Sequence, residues 1–430
     1  MTAALIAFAV LLFLIFLRVP IAFAMAIVGA VGFAALRGVE PALELIGQHA
    51  RQTVLTSDLS VVPLFILMGN FVARSKLAEE LYDAAHAFVG HYRGGLAMAT
   101  ILACGAFSSV CGSSLATAAT MTNVSLGPMR RKGYAPSLAA ASIAAGGTLG
   151  NLIPPGTVTV LYGIMTNTNI GHLFIASLLP GLLAVLLLIG AIAWATYFNP
   201  ALGPADRRAT WRERARALLK VWGLLVLFAV VMGGIYLGIC TATEAAGIGA
   251  FGGFLFAWVK GTLTLRGLRD TLAATAITSS VLFFVLIGAL ILADFVTASG
   301  FSSATSDWLK SLHLPPLAVI GIIVVIYLLL GTALEGLSIV LLTVPIFYPI
   351  VTGFGLSPIW FGILVIVVTE ISLISPPVGL NYSIISTMVP DIPEREIVKG
   401  LYPFLAAELI LVAILTAFPS ITLLLVPAKG

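Results

Sequence analysis

Charge is what this chain lacks most: of 430 residues, 9% are Asp, Glu, Lys or Arg, while 60% are hydrophobic. No water-soluble core needs that balance; a polytopic α-helical membrane protein does. The apolar stretches are rich in Ala, Leu, Ile and Gly and lack the alternation of a β-barrel. Cysteine is scarce as well. Cys104, Cys111 and Cys240 lie in apolar stretches with no CxxC pair, so they read as free buried side chains, not as a redox or metal framework. His49, His86, His91, His172 and His313 all fall in expected loops or arms, which argues against an intramembrane serine protease. An aspartyl protease would need two facing aspartates, and the spans offer only Asp294. No Walker loop is present to hold a nucleotide. An enzyme, a bound cofactor and a nucleic-acid partner are therefore not expected. The apolar N-terminus has no basic n-region or cleavage site and is expected to be a retained first span.

Present instead are two interrupted apolar stretches. Gly150-Asn151-Leu152-Ile153-Pro154-Pro155-Gly156 breaks one in the first half, and Ser372-Leu373-Ile374-Ser375-Pro376-Pro377-Val378-Gly379 breaks another in the second. Paired prolines remove two backbone donors, so a helix cannot run through either place. Freed backbone groups at membrane depth are tolerated only when buried in protein or lining a wet cavity. Broken helices at corresponding places in two halves point to a carrier's binding site.

Apolar runs fall at 2–17, 20–36, 54–73, 94–128, 134–168 and 172–198, then at 218–238, 241–259, 272–298, 315–351, 358–390 and 400–427. Between the two sets lies a connector at 199–217 carrying Arg207, Arg208, Arg212, Arg214 and Arg216, followed by Lys220. The positive-inside rule puts it in the cytoplasm. Run 94–128 has basic residues at both ends (Arg74, Lys76 and Arg93; Arg130 to Lys132), so it is expected to be a hairpin re-entering from inside, with its tip near Gly112-Ser113-Ser114. Run 315–351 has almost none and is expected to enter from outside, with its tip at Gly331-Thr332-Ala333-Leu334-Glu335-Gly336. Two hairpins of opposite orientation mean an inverted repeat: 1–198 and 218–430, about ten spans plus two hairpins, with interfacial arms at 75–91 and 300–312 and both termini outside. Pro128 and Pro349 are expected to end the hairpins. The segments 166–171 and 299–314 are then external faces open to a docking partner.

Hydroxyls and small residues crowd the first hairpin, from Ser108 to Thr117 and on to Asn123; they suit close packing and supply neutral oxygens for a cation such as Na⁺. In the second half Glu335 and Glu370 are acids expected at membrane depth beside Gly331, Thr332, Gly336, Thr369 and Ser372. They could take up protons, steer a cation or serve as structural hydrogen-bonding groups. Glu244, in Thr241-Ala242-Thr243-Glu244, could couple transport or cap a helix start. Asp294 and Glu408 read as interfacial. An anionic substrate would suit the helix N-termini after each tip and each proline pair. That reading draws in Ser114, Thr117, Asn151, Pro155, Gly156 and Thr157 from the first half, and Gly336, Pro377, Gly379 and Asn381 from the second. No arginine is expected near the breaks to pair with a carboxylate.

The GSSxA tip, the GNLIPPG break, the TEAAG start, the GTxLEG tip and the SPPVGLN break, in that order over essentially the whole chain, resemble the large membrane subunit of tripartite ATP-independent periplasmic (TRAP) transporters. The resemblance implies an elevator-type, ion-transporter-like fold in the bacterial inner membrane. It further implies a periplasmic substrate-binding protein, a small four-helix membrane subunit and Na⁺-coupled uptake of an organic acid such as a C4-dicarboxylate or sugar acid. By motif, one cation site gathers Ser109, Gly112, Ser113, Gly150, Leu152 and Pro154, and the other Gly331, Thr332, Thr369, Ser372 and Ser375. The alternatives are a stand-alone Na⁺/dicarboxylate symporter of the same superfamily and a non-transporting membrane scaffold.

Overall fold

The computed structural model describes residues 2–332, 334–376 and 379–427. Among these every regular element is helical. The first half opens with α1 (Thr2–Phe16), α2 (Ile21–Arg37), α3 (Val39–Leu55) and α4 (Val61–Arg74), followed by the arm α5 (Leu77–Val89). Next come α6 (Gly95–Cys111) and α7 (Ser114–Arg131), then α8 (Pro136–Gly147), the single turn α9 (Leu149–Leu152), α10 (Thr157–Thr166) and α11 (Ile170–Phe198). The second half runs α12 (Trp211–Tyr236), α13 (Ala242–Val259), α14 (Leu265–Ala298), the arm α15 (Phe301–Ser311), α16 (Pro316–Gly331) and α17 (Gly336–Gly353). It ends with α18 (Pro358–Ser372), α19 (Leu380–Met388), α20 (Glu394–Ala417) and the short α21 (Ser420–Leu423).

Six of these helices (α11, α12, α13, α14, α17 and α20) are long and apolar enough to cross a bilayer, and α4 and α5 form an apolar pair bent by 69°. Helix α1 has 15 residues, about 22 Å at 1.5 Å per residue, less than a typical hydrocarbon core. Large apolar side chains stay exposed on α1, α2 and α12, among them Phe16, Val31, Leu219 and Trp222. In water that surface would be a liability; against lipid it is matched.

Both hairpins form where the sequence breaks. Helix α6 ends at Gly112, whose φ of +62° is the left-handed conformation that terminates a helix, and Ser113 Oγ accepts the Ala116 amide to cap α7. Helices α16 and α17 are joined through Thr332 to Glu335. Helices of the first half pack on helices of the second: α2 lies on α14 and α4 on α13, α7 on α19 and α10 on α17, α8 on α20 and α11 on α18.

Several boundaries differ from expectation. Residues 39–55 form α3, an amphipathic helix that a search for apolar runs passes over; His49 sits on it, not in a loop, and meets Asp294 of α14. The run expected from 54 begins as a helix only at Val61. The basic connector is half helix: Thr210 and Glu213 form a reciprocal capping box that starts α12 at Trp211, so Arg212, Arg214 and Arg216 are helical. Arg214 turns inward, donating to the Ala87 carbonyl at 3.1 Å and lying over the Phe88 ring, which fastens α12 to the arm α5. Helix α20 starts at Glu394, earlier than the run suggested. Pro128 and Pro349 lie inside α7 and α17, which continue to Arg131 and Gly353.

Candidate functional site

Each hairpin tip lies directly on a helix break. At the first, the Gly112 carbonyl accepts the Thr157 amide at 3.3 Å and its hydroxyl at 3.1 Å, bridging the α6–α7 tip to the start of α10. A Cβ added to Gly150 would stand 2.4 Å from the Ser114 backbone. The expected first cation site draws on this contact, with Ser109, Gly112 and Ser113 at the tip and Gly150, Leu152 and Pro154 at the break. Ser109 Oγ donates to the Ala106 carbonyl at 2.6 Å, which leaves its lone pairs free for a cation.

The second tip is packed tighter still. A Cβ on Gly331 would lie 1.9 Å from Ser372 Cβ, and one on Gly336 would lie 2.8 Å from Thr369 Cγ2. The hydroxyls of Thr332, Ser372 and Ser375 donate to the carbonyls of Leu329, Thr369 and Ile371. Thr369 is buried, and its Oγ1 has no hydrogen-bond partner among the described residues. An unsatisfied buried oxygen at a tip-to-break contact is chemistry that suits a hard cation.

Between the two tips is a cavity of about 210 Å³. The first turn of α7 (Ser114, Leu115 and Ala116), the start of α10 (Thr157 and Val158) and the start of α17 (Gly336 and Leu337) all line it. Three helix N-termini thus converge, each with first-turn amides that have no intrahelical partner and a partial positive charge. Asn151 adds a carboxamide; among the described lining residues Glu335 is the one acid and there is no Lys, Arg or His. Asn70 of α4 and Thr278 of α14 also line the cavity and were missed by sequence reasoning. Asn70, which donates to Thr275 of α14 at 2.9 Å, was detectable as a lone carboxamide in an apolar helix.

Of the other expected substrate residues, Thr117 is buried a turn into α7 and Pro155 and Gly156 pack within the break, so none of the three lines the cavity. Asn381 is fully buried, donating from Nδ2 to the Ala144 carbonyl at 3.2 Å, and joins α19 to α8. The Gly379 amide closes the second break onto the Ser375 carbonyl at 3.1 Å. Pro377 lies outside the described residues.

The three acids have separate places. Glu244 caps α13: its carboxylate accepts the Thr241 amide at 2.8 Å, and Thr241 Oγ1 accepts the Glu244 amide at 3.2 Å. It is remote from both breaks, on the rim of a wide surface pocket that also includes Asn167 to Gly171. Glu335 stands at the start of α17, at the cavity. Glu370 belongs to α18 and faces the first half: Ser114 Oγ donates to Oε2 at 2.6 Å and Asn151 Nδ2 to Oε1 at 2.7 Å. Its carboxyl is 3% exposed and ties tip and break of the first half to the second. Glu408 was expected at the interface and is instead buried in α20, where Thr148 Oγ1 lies 2.6 Å from Oε1.

Outside the spans, Asp206 gathers Lys132 (2.9 Å) and His86 (3.2 Å). The Lys132 hydrogen bond, with help from the Arg207 amide, holds its carboxyl below the usual carboxylate range.

This architecture is that of a helical membrane transporter. A solved transporter from Alcanivorax borkumensis, YdaH, whose structure is described as having an unusual topology, superposes with a TM-score of 0.68 over 91% of this chain and 90% of its own, at 16% identity. The model of the family "Tripartite ATP-independent periplasmic transporter, DctM component" matches residues 8–421. The C4-dicarboxylate TRAP transporter large permease protein DctM of Pseudomonas aeruginosa is 36% identical over 85% of this chain and 86% of its own. The sialic acid large permease SiaM of Vibrio cholerae is 32% identical over 85% and 86%. The ectoine/5-hydroxyectoine large permease UehC of Ruegeria pomeroyi is 31% identical over 92% of each chain. The chain belongs to the DctM family of TRAP transporter large permeases, a family of multi-pass transport proteins and not of enzymes.

Proposed function

We propose that this chain is the inner-membrane permease through which a small organic acid enters the cell, driven by Na⁺. The observation that carries this reading is the cavity between the two hairpin tips, where three helix N-termini meet without a basic side chain. Such a site holds a carboxylate by oriented amides and can be emptied without breaking an ion pair. Its volume of about 210 Å³ lies below the roughly 300 Å³ where drug-sized pockets begin, which favours an acid of few carbons, such as a C4-dicarboxylate, over a large sugar acid.

The inverted repeat and its mechanism belong to the same proposal. Helices α6–α10 and α16–α19 form the moving unit, with α11 and α20 travelling beside the broken helices they pack on. The crossed pairs α2–α14 and α4–α13 form the scaffold, to which a small membrane subunit adds its helices. Na⁺ at each tip-to-break contact closes the hairpins and completes the substrate site. Each net positive charge carried inward gains about 2.3 kcal/mol per 100 mV of membrane potential. A periplasmic binding protein delivers substrate to the external face.

The test is uptake of labelled organic acids into proteoliposomes holding this chain with its neighbouring small subunit, with and without the neighbouring binding protein, under an inward Na⁺ or K⁺ gradient. Uptake requiring both Na⁺ and the binding protein is expected. Equal uptake without the binding protein would mean a stand-alone symporter, and no uptake under any gradient would leave only a scaffold role.

A further inference from the structure

Thr148 stands at the junction of α8 and α9, and its hydroxyl has two oxygens equally near. The Ala145 carbonyl is 2.6 Å away and Glu408 Oε1, from α20, is also at 2.6 Å. A hydroxyl has one proton to give, so it serves both neighbours fully only when the second donates to it, which a carboxylic acid or a carboxamide at 408 can do and an aliphatic side chain cannot. Glu408 is 5% exposed and lines no cavity described above, so it is not placed to touch substrate.

The second half repeats the sequence spacing around this junction, with valine at the position that matches the acid. Thr369 precedes Leu373-Ile374 by the same four residues that separate Thr148 from Leu152-Ile153. Helix α11 carries Pro180 and Val185 at the spacing of Pro403 and Glu408 in α20. At this second break the Thr369 hydroxyl has no hydrogen-bond partner among the described residues.

We infer that Glu408 is a positioning residue for the cation site of the first half. Through Thr148 it pins the junction from which the single turn α9 springs, so the Gly150 and Leu152 carbonyls are held in place before any ion arrives. Among the described residues the second break has no such pin, and its ion orders it. The first site is therefore preorganised and fills at lower Na⁺ concentration than the second. This inference rests on the Na⁺-coupled reading above.

The experiment measures binding of ²²Na⁺ to the purified full-length chain, together with its thermal stabilisation by NaCl against choline chloride. Wild type is expected to bind in two phases. Glu408→Ala and Thr148→Val should raise the half-saturating Na⁺ concentration of the tighter phase about fivefold to tenfold, tenfold being 1.4 kcal/mol, the scale of one buried hydrogen bond. Glu408→Gln and Thr148→Ser, which keep the bond, should remain within about twofold of wild type on that scale. Unchanged affinity in both Glu408→Ala and Thr148→Val would overturn the inference alone. A Glu408→Gln protein as impaired as Glu408→Ala would overturn it in favour of a charge role. Should Glu408→Ala not fold, the Thr148→Val and Thr148→Ser pair decides by the same criterion. No Na⁺ binding by wild type would overturn the Na⁺-coupled reading itself.

Discussion

Replacing Gly331 with Ala puts a methyl carbon 1.9 Å from Ser372 Cβ, 2.6 Å from its Oγ and 3.2 Å from its Cα. Non-bonded carbons settle at about 3.5 Å or more, so the second hairpin tip must retreat from α18 by roughly 1.6 Å or more. Two of the three colliding atoms are Cβ and backbone, so no rotamer change relieves the contact. Overpacking of this kind costs about 1–3 kcal/mol, which on the closed state would weaken apparent Na⁺ affinity by a factor of about 5 to 150. The assay is Na⁺-dependent uptake against Na⁺ concentration at matched protein level. Gly321→Ala in the same helix has nothing within 4 Å of the added carbon and should behave as wild type. Gly331→Ala with wild-type Na⁺ dependence would show that tip and break do not need to meet.

Other contacts give further expectations. Asn151→Ala and Glu370→Ala should each impair Na⁺-dependent uptake, and a double-mutant cycle should give a coupling of about 1 kcal/mol, since the hydrogen bond between them is buried; additive losses would sink the cross-half tie. Thr241→Ala should lower stability by about 1 kcal/mol through the lost cap of α13 while leaving Na⁺ affinity unchanged, as seen by thermal melting beside uptake. Asp206 has its folded carboxyl pKa lowered, so its contribution is complete above the ordinary value of about 4 and is lost as pH falls through the lower folded value. The melting-temperature gap between wild type and Asp206→Asn should therefore be full at neutral pH and shrink under acid; a gap that persists in strong acid would contradict the ionic clamp with Lys132.

Sequence patterns revealed the hairpins and breaks because each is written locally: a Gly at a helix end, hydroxyls at a cap, paired prolines inside an apolar run. The arms were legible from their amphipathic periodicity. Helix α3 was not, because its polar face (Glu40, Glu44, Arg51) lowers the apolar signal that the reading relied on. The early start of α12 was readable from Thr210 and Glu213 as a capping box, but the arginines around them masked it as a loop. Glu370 and Glu408 could be singled out as acids in spans, yet not assigned partners. Ser114 lies 256 residues from Glu370 and Thr148 lies 260 from Glu408, and only tertiary packing brings them together.

The most direct test of the central claim, that hairpins and breaks move as a unit against the scaffold, is a cross-link across the cavity. In a background lacking Cys104, Cys111 and Cys240, Asn70→Cys on α4 is paired with Leu115→Cys on α7, two positions that line the same cavity from scaffold and moving unit. Bridging the two thiols with a cleavable bifunctional reagent is expected to abolish uptake, and cleaving the bridge to restore it. Full uptake by the cross-linked protein would contradict the moving-unit mechanism.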